Sequence, residues 1–474
     1  MAKYLYGASI QGIQDFIFKT NQLQEIVGAS EIVKSIEQEF RDFTKIDKKN
    51  ILLNAAGNIK AIFDDEEMLQ KVVLEFPKMI MQKAYGITIS QAVVEMEGDK
   101  ETSKEINMLE KKLKIQRNKP SLPLDLSINI LKHAPKTARP QIEKDMDMAT
   151  KQKRDAYANW FKKVIENDAE FEKSKELSYI SNGKNKIAVI HADGNGLGQL
   201  IPKLSDISAF SNSLNKATTE AYEVAKKKVE NDKIRKIILG GDDLTVICDA
   251  NYALSFTQVF LEEFESRTEK FIKDQLEEKN IQHKLTACAG IAYCNEKYPF
   301  HYAVSLAEAL CSAAKKHAKS TNEHLAPSSL MFHNIQSSNF QSWEKFVADE
   351  LTITNDKQTI RCDFGPYYLN QDGEPSIQDF EHTVEAYRSD GSPISRLREW
   401  MSELSKSKQS AENMLARINE IASQNGTWDN SSMDNNLKQL HQELSSKNLI
   451  IVKDNMQKTP IYDVLQILSV TEVK

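Results

Sequence analysis

The chain has 474 residues, 40% of them hydrophobic and 27% charged, with a formal net charge of -6. That apolar fraction supports packed cores and excludes a disordered chain, and the length suits about three domains of roughly 100–200 residues. Lys and Arg are spread along an acidic chain, which argues against coating nucleic acid through a global positive field while leaving a local basic groove open.

In chain order, a strand is expected at Tyr4–Ala8, then a helix over Leu23–Phe40, where Ile26, Val27, Ile32, Val33 and Ile36 recur near helical spacing. Ile51–Leu53, a turn over 54–58 and the apolar run Ile59–Phe63 read as a β-hairpin. A helix near 65–84, a strand at Ile87–Glu95 and a charged helix to about Lys114 complete a first unit, residues 1–114. Residues 115–185 read as a mainly helical linker, entered through Pro120, Pro123, Pro135 and Pro140.

The same order then recurs over 186–325: strand Ile187–His191, helix 205–230, a hairpin turning at Gly240–Asp243, helix 252–279, strand Leu285–Tyr293 and helix Ala303–Lys319. Residues 326–394 read as a mixed extension of this second unit, with short strands at Thr359–Phe364 and Tyr367–Leu369. Residues 395–474 read as a C-terminal helical domain whose last helix lies near Ile461–Leu468. No window approaches the ~18 apolar residues of a membrane span, and the N-terminus shows no apolar signal segment. Cys248, Cys288, Cys294, Cys311 and Cys362 form no CxxC pair, so neither a disulfide scaffold nor a cysteine zinc site is expected, and a reducing cytoplasm fits.

The two units can be aligned. Ser9 falls over Asp193, Gly57-Asn58 over Asp242-Asp243, and Ser90 over Cys288. The expected fold is therefore α+β, with two β-α-β-β-α-β ferredoxin-like (palm or nucleotide-cyclase) domains, a helical linker and a C-terminal helical domain. The copies differ where chemistry would sit: the second has three carboxylates, and the first has Ser9, Gly57 and Asn58.

Gly-Gly-Asp-Asp between two strands places two carboxylates at a turn, and Gly240 and Gly241 allow positive φ and close approach of a triphosphate. By itself it is also simply a good turn sequence. Asp193 ends the strand expected beside that hairpin. Three carboxylates together repel unless a cation neutralises them, and hard oxygen ligands select Mg²⁺ or Mn²⁺. Gly194-Asn195-Gly196 would free backbone groups near metals and bases, although as a phosphate cradle it is a weak signal. Lys315 and Lys319, at i and i+4 of one helix, would neutralise phosphates or form a solvated charged face. His191 shares a strand face with Asp193, as a base contact or a structural histidine.

Ala192–Gly198, Gly240–Asp243 and Ala289–Ala292 followed by Lys315 and Lys319 resemble the second palm domain of the large polymerase-like subunit of type III CRISPR effector complexes. Gly12–Ile17 and Val27–Ser30 resemble that subunit's degenerate first palm, especially in the Cmr-type branch. The resemblance implies synthesis of a cyclic oligoadenylate-type second messenger from ATP when target RNA is bound. It implies metal ligation at Asp193, Asp242 and Asp243 as catalytic residues, and nucleotide contacts from Gly194, Asn195, Gly240, Gly241, Lys315 and Lys319. Ser9 is then expected near a second nucleotide, in an ATP pocket shared between the palms. The implied partners are the other subunits of the complex and, through them, guide and target RNA; no membrane partner is expected. The chain has no His-Asp dipeptide, so no nuclease activity is expected; the inter-palm cysteine zinc motif is absent too, and the two losses leave open both a complete RNA-guided complex and a trimmed, stand-alone synthase. Two other readings compete: a non-catalytic scaffold subunit of the RNA-guided complex, and a GGDEF-like diguanylate cyclase, against which Leu244 after Asp243 counts.

Overall fold

The protein is described by a computed structural model over residues 3–55, 57–98, 103–119, 130–164, 168–200, 204, 207–230, 233–277, 284–322, 324–336, 342–355, 358–425 and 430–472. Ala56 of the first hairpin turn, Pro120 and Pro123 of the linker entry, and Ser205 at the start of an expected helix lie outside the described residues.

The first unit runs β1 (Lys3–Gln11), α1 (Leu23–Thr44), β2 (Ile51–Ala55), β3 (Asn58–Phe63), α2 (Glu66–Lys83) and β4 (Thr88–Met96). Helix α1 forms because Leu23, Ile26, Val27, Ile32, Ile36 and Phe40 make one buried face. It ends where Lys45 turns left-handed and returns its N–H to Arg41 O. Asp65 caps α2, its carboxylate accepting from the N–H groups of Glu67 (2.9 Å) and Met68 (3.3 Å). The strands order β2-β3-β1-β4. Helices α1 and α2 cover one face of this sheet, and the helix Ser103–Arg117 covers the other through Leu109 and Leu113.

The second unit runs β5 (Lys186–Gly194), α3 (Ile207–Lys226), β6 (Ile234–Gly240), β7 (Asp243–Asp249), α4 (Ala253–Glu277), β8 (Ala287–Asn295) and α5 (Phe300–Thr321). Its strands order β6-β7-β5-β8, the same arrangement as the first sheet. The registers agree with the repeat: Ala8 pairs with Ile59 and Ser9 with Ser90, while Ala192 pairs with Leu244 and Asp193 with Cys288. Alternation along β5 sends Ala188, Ile190 and Ala192 toward α3 and α4, and Ile187 and Val189 toward α5 and the first unit. Asp193 is therefore on the α5 side.

Three features differ from the sequence expectation. The second sheet gains one unexpected strand, β9 (Ser329–Asn334), parallel to β8, while the strand expected at Tyr367–Leu369 is present as β10 (Tyr367–Tyr368) and pairs with β9. β9 is buried along its whole length, so it lacks the two-residue alternation that marks a half-exposed strand. The linker, expected to be mainly helical, contains the helix Met148–Val164 but also a short hairpin, Gln141–Glu143 with Met146–Asp147. The C-terminal region has the helices Ile394–Leu404, Lys408–Asn425, Asn430–Leu440 and Ile461–Val470, and between the last two a hairpin, Ile451–Lys453 with Met456–Lys458. That hairpin turns through left-handed Asp454 and Asn455 and joins the strand pair Thr352–Asn355 and Gln358–Arg361 in a four-stranded sheet. Strands of three residues are too short to show a period.

Candidate metal and nucleotide site

Strand β5 ends in Asp193-Gly194, and the β6–β7 turn is closed by the Gly240–Asp243 pair. Gly241 takes φ 62 at the first central position, where a side chain would be strained. Thr218 of α3 anchors the turn, its hydroxyl donating to Gly241 O at 2.6 Å. Gly194 is required by proximity, because a Cβ there would lie 2.8 Å from both Asp242 Cβ and Leu197 Cδ1. Only glycine lets the turn close onto the end of β5.

This brings one oxygen each of Asp193, Asp242 and Asp243 within 4.8 Å of one another. Burial, then the charges of Asp243 and Asp193, pushes the Asp242 pKa up to about 8. Burial and Asp193 push Asp243 up to about 6, with Glu308 adding to the rise and Lys315 opposing it. Lys315 forms an ion pair with Asp193, and its Nζ donates to Gly194 O at 2.8 Å. One ammonium does not balance three carboxylates. The surplus of clustered, oxygen-only ligands fits Mg²⁺ or Mn²⁺, which are hard cations.

The other predicted residues are placed as follows. Gly240 and Gly241 form the turn itself. Lys319 is exposed, one helical turn beyond Lys315. Asn195 is buried away from solvent: its N–H donates to Thr286 O at 2.8 Å, and its Nδ2 to Thr286 Oγ1 at 3.0 Å and Ala326 O at 3.3 Å. These bonds fasten the loop after Asp193 to the start of β8. Ser9 is buried in the first unit, donating to Asn58 Oδ1 at 3.1 Å, so the degenerate copy closes its equivalent position with a neutral pair. His191 Nδ1 lies 3.1 Å from Thr245 Oγ1, and burial lowers its pKa, which favours a neutral imidazole.

Several residues near the site carry no sequence signal of their own. Glu308 of α5 accepts a 2.6 Å hydrogen bond from Gln14 Nε2 of the first unit. A cavity of about 330 Å³ lies between the units, lined by Lys34, Arg41 and Leu53 from the first and Asn212, Asn215 and Lys236 from the second, and bordered by Gly240. His317, Glu374 and Asp454 also converge as a ligand-like group. There Lys453 already meets Glu374 at 2.9 Å and Lys458 meets Asp454 at 2.7 Å, so ammonium groups supply the countercharge.

Residues 186–324 match the family model of the Cas10/Cmr2 second palm domain. No curated protein sequence matches the chain. Among solved structures, the chain is similar to the Csm1–Csm4 cassette in complex with pppApApA, at 14% identity and a TM-score of 0.53. It is similar to the same cassette in complex with cA3, at 14% identity and a TM-score of 0.52. It is also similar to the Csm1–Csm4 subcomplex of the type III-A CRISPR–Csm interference complex, at 13% identity and a TM-score of 0.52. Each of these matches covers 99% of this chain and 70% of the other. Residues 186–324 thus match a second palm domain of the Cas10/Cmr2 type, within a chain whose fold is similar over its length to that in the Csm1–Csm4 structures.

Proposed function

We propose that the chain is a metal-dependent nucleotidyltransferase that makes a cyclic oligoadenylate-type second messenger from ATP, as the large subunit of an RNA-guided type III CRISPR defence complex. The observation that carries this reading is the convergence of Asp193, Asp242 and Asp243 in a domain of the Cas10/Cmr2 second-palm type. Related Csm1–Csm4 structures are complexes with ATP, pppApApA and cA3, which supports ATP as substrate and linked adenylates as products.

In this reading Asp193, Asp242 and Asp243 hold Mg²⁺ or Mn²⁺. Such ions, when bound, favour ionisation of a ribose 3′-hydroxyl and offset charge on the α-phosphate and departing pyrophosphate. Lys315 leaves Asp193 for a β- or γ-phosphate oxygen, and Lys319 extends the positive edge by one helical turn. Gly240 and Gly241 leave room for phosphates against the backbone, and Gly194 lets Asp242 close onto the end of β5. Asn195 keeps the loop after Asp193 in place. The cavity between the units, bordered by Gly240, receives a nucleotide with groups from both units. Sister subunits, guide RNA and target RNA are the partners through which activity is switched on.

The complex, loaded with guide and target RNA, should release pyrophosphate from ATP with Mg²⁺ or Mn²⁺ and yield an oligoadenylate by mass spectrometry. Absence of pyrophosphate from an intact, RNA-bound complex sinks this reading.

A further inference from the structure

Gln14 belongs to the Gly12–Ile17 motif, which the function above leaves without a role. Its short helix, Ile13–Phe18, follows Gly12 at φ 71 and packs beside the first unit's hairpin, where Gly57 approaches Ile13. From there Gln14 Nε2 crosses to the second unit and donates to Glu308 Oε1 at 2.6 Å. Glu308 lies on α5 seven residues before Lys315, two helical turns along the same face. It is close enough to Asp243 for its charge to act on that carboxylate. A carboxylate has about four acceptor positions, and the Gln14 bond uses one of them.

A fourth acid here adds to the repulsion already acting on Asp243. A glutamine at 308 would accept the same bond from Gln14 through its amide oxygen without adding charge. Folding therefore gives no reason for a carboxylate at this position, and a rule broken locally points to function. The unit that has Ser9, Gly57 and Asn58 in place of the three acids is the one that holds Glu308 in place. We propose that Glu308, positioned by Gln14, is a substrate-contacting residue that accepts a hydrogen bond from the 3′-hydroxyl of the acceptor nucleotide and turns it toward the acidic centre. This rests on the nucleotidyltransferase reading above.

The test compares the wild-type RNA-bound complex with its Glu308→Gln variant. One arm measures binding, by calorimetry with Mg²⁺, of α,β-methylene-ATP and of its 3′-deoxy analogue, neither of which can release pyrophosphate. Loss of one hydrogen bond to a charged acceptor should weaken α,β-methylene-ATP by about tenfold, while the 3′-deoxy analogue binds wild type and variant alike. Gln14→Ala should weaken the first ligand by a smaller factor. The other arm measures pyrophosphate release, expected to fall at least about tenfold in Glu308→Gln, with the melting temperature of the full chain unchanged or raised. Equal binding of α,β-methylene-ATP to both proteins overturns the proposal. So does a loss that is the same for both ligands, or one that comes with a lowered melting temperature, since either marks a structural role. The binding arm gives its answer even where the wild type releases no pyrophosphate, so failure of the wider reading is told apart from failure of the Glu308 assignment.

Discussion

Asp242 distinguishes a plain turn from a metal site. Its folded-state pKa, about 8, lies above the ordinary carboxylate value. Between roughly pH 4 and pH 8 the folded chain holds a proton that the unfolded chain has released. Stability without metal is therefore full below that window and falls as pH rises through it, with Asp243 adding the same trend up to about 6. Thermal melts without divalent ions should drop from pH 5 to pH 8, Asp242→Asn should flatten the trend, and Mg²⁺ should restore the wild type most at pH 8. An identical pH trend in wild type and Asp242→Asn removes Asp242 as its source. The paired Asp242→Ala, Asp243→Ala variant should lose pyrophosphate release by about 100-fold or more, read in the RNA-bound complex. The three acids were legible because strand and turn signals surround them. Lys315 was legible only as one of two spacings, a phosphate contact or a solvated face. Glu308 and Gln14 were not legible: they are 294 residues apart, and no local pattern joins such a pair.

At the scale of elements, α5 delivers Lys315 to Asp193, and its seating depends on Gly290 of β8. A Cβ at that position would lie 2.0 Å from Ala307 O and 2.5 Å from Cys311 N, both in the backbone of α5. Gly290→Ala therefore pushes the helix off the strand. Overpacking of this kind costs about 1–3 kcal/mol, which should show as a lowered denaturation midpoint. The displacement also carries Lys315 away from Asp193 and Gly194 O, so pyrophosphate release should fall with stability. A variant as stable and active as wild type would mean that strand and helix separate freely. Elements with a clear period, such as α1 and the β6–β7 hairpin, were legible from sequence. β9 was not, because a strand covered on both faces has no alternation to read. The Ile451–Lys453 hairpin was not, because its identity comes from pairing with Gln358–Arg361 through the strand Met456–Lys458.

For the whole molecule, the repeat was legible down to its register, since both copies pair their equivalent residues in the same way. How the second copy shares a core with the C-terminal region was not, because burial between distant segments leaves no mark on local patterning. A single apolar cluster runs from Phe256, Phe260 and Tyr293 of the second unit to Leu397, Trp400, Leu404, Leu437, Val464 and Ile467 of the C-terminal region. Those six C-terminal side chains are each buried to 3% exposure or less. Burying a large apolar side chain is worth about 1.5–3 kcal/mol, so removing six takes away roughly the whole net stability of about 5–15 kcal/mol that a native domain holds. It also bares the side of the second unit against which they pack. A chain ending at residue 394 should therefore be recovered mainly as aggregate, and any soluble fraction should lack a cooperative thermal transition. A soluble truncated chain melting within a few degrees of the full one would show that the two regions hold separate cores. In the full chain, substitution of Trp400 by Ala should lower stability by about 3–5 kcal/mol and weaken Mg²⁺-dependent stabilisation of the second unit less than it weakens the fold, because Trp400 lies in the cluster on the α3 and α4 side of the sheet, opposite the acidic centre.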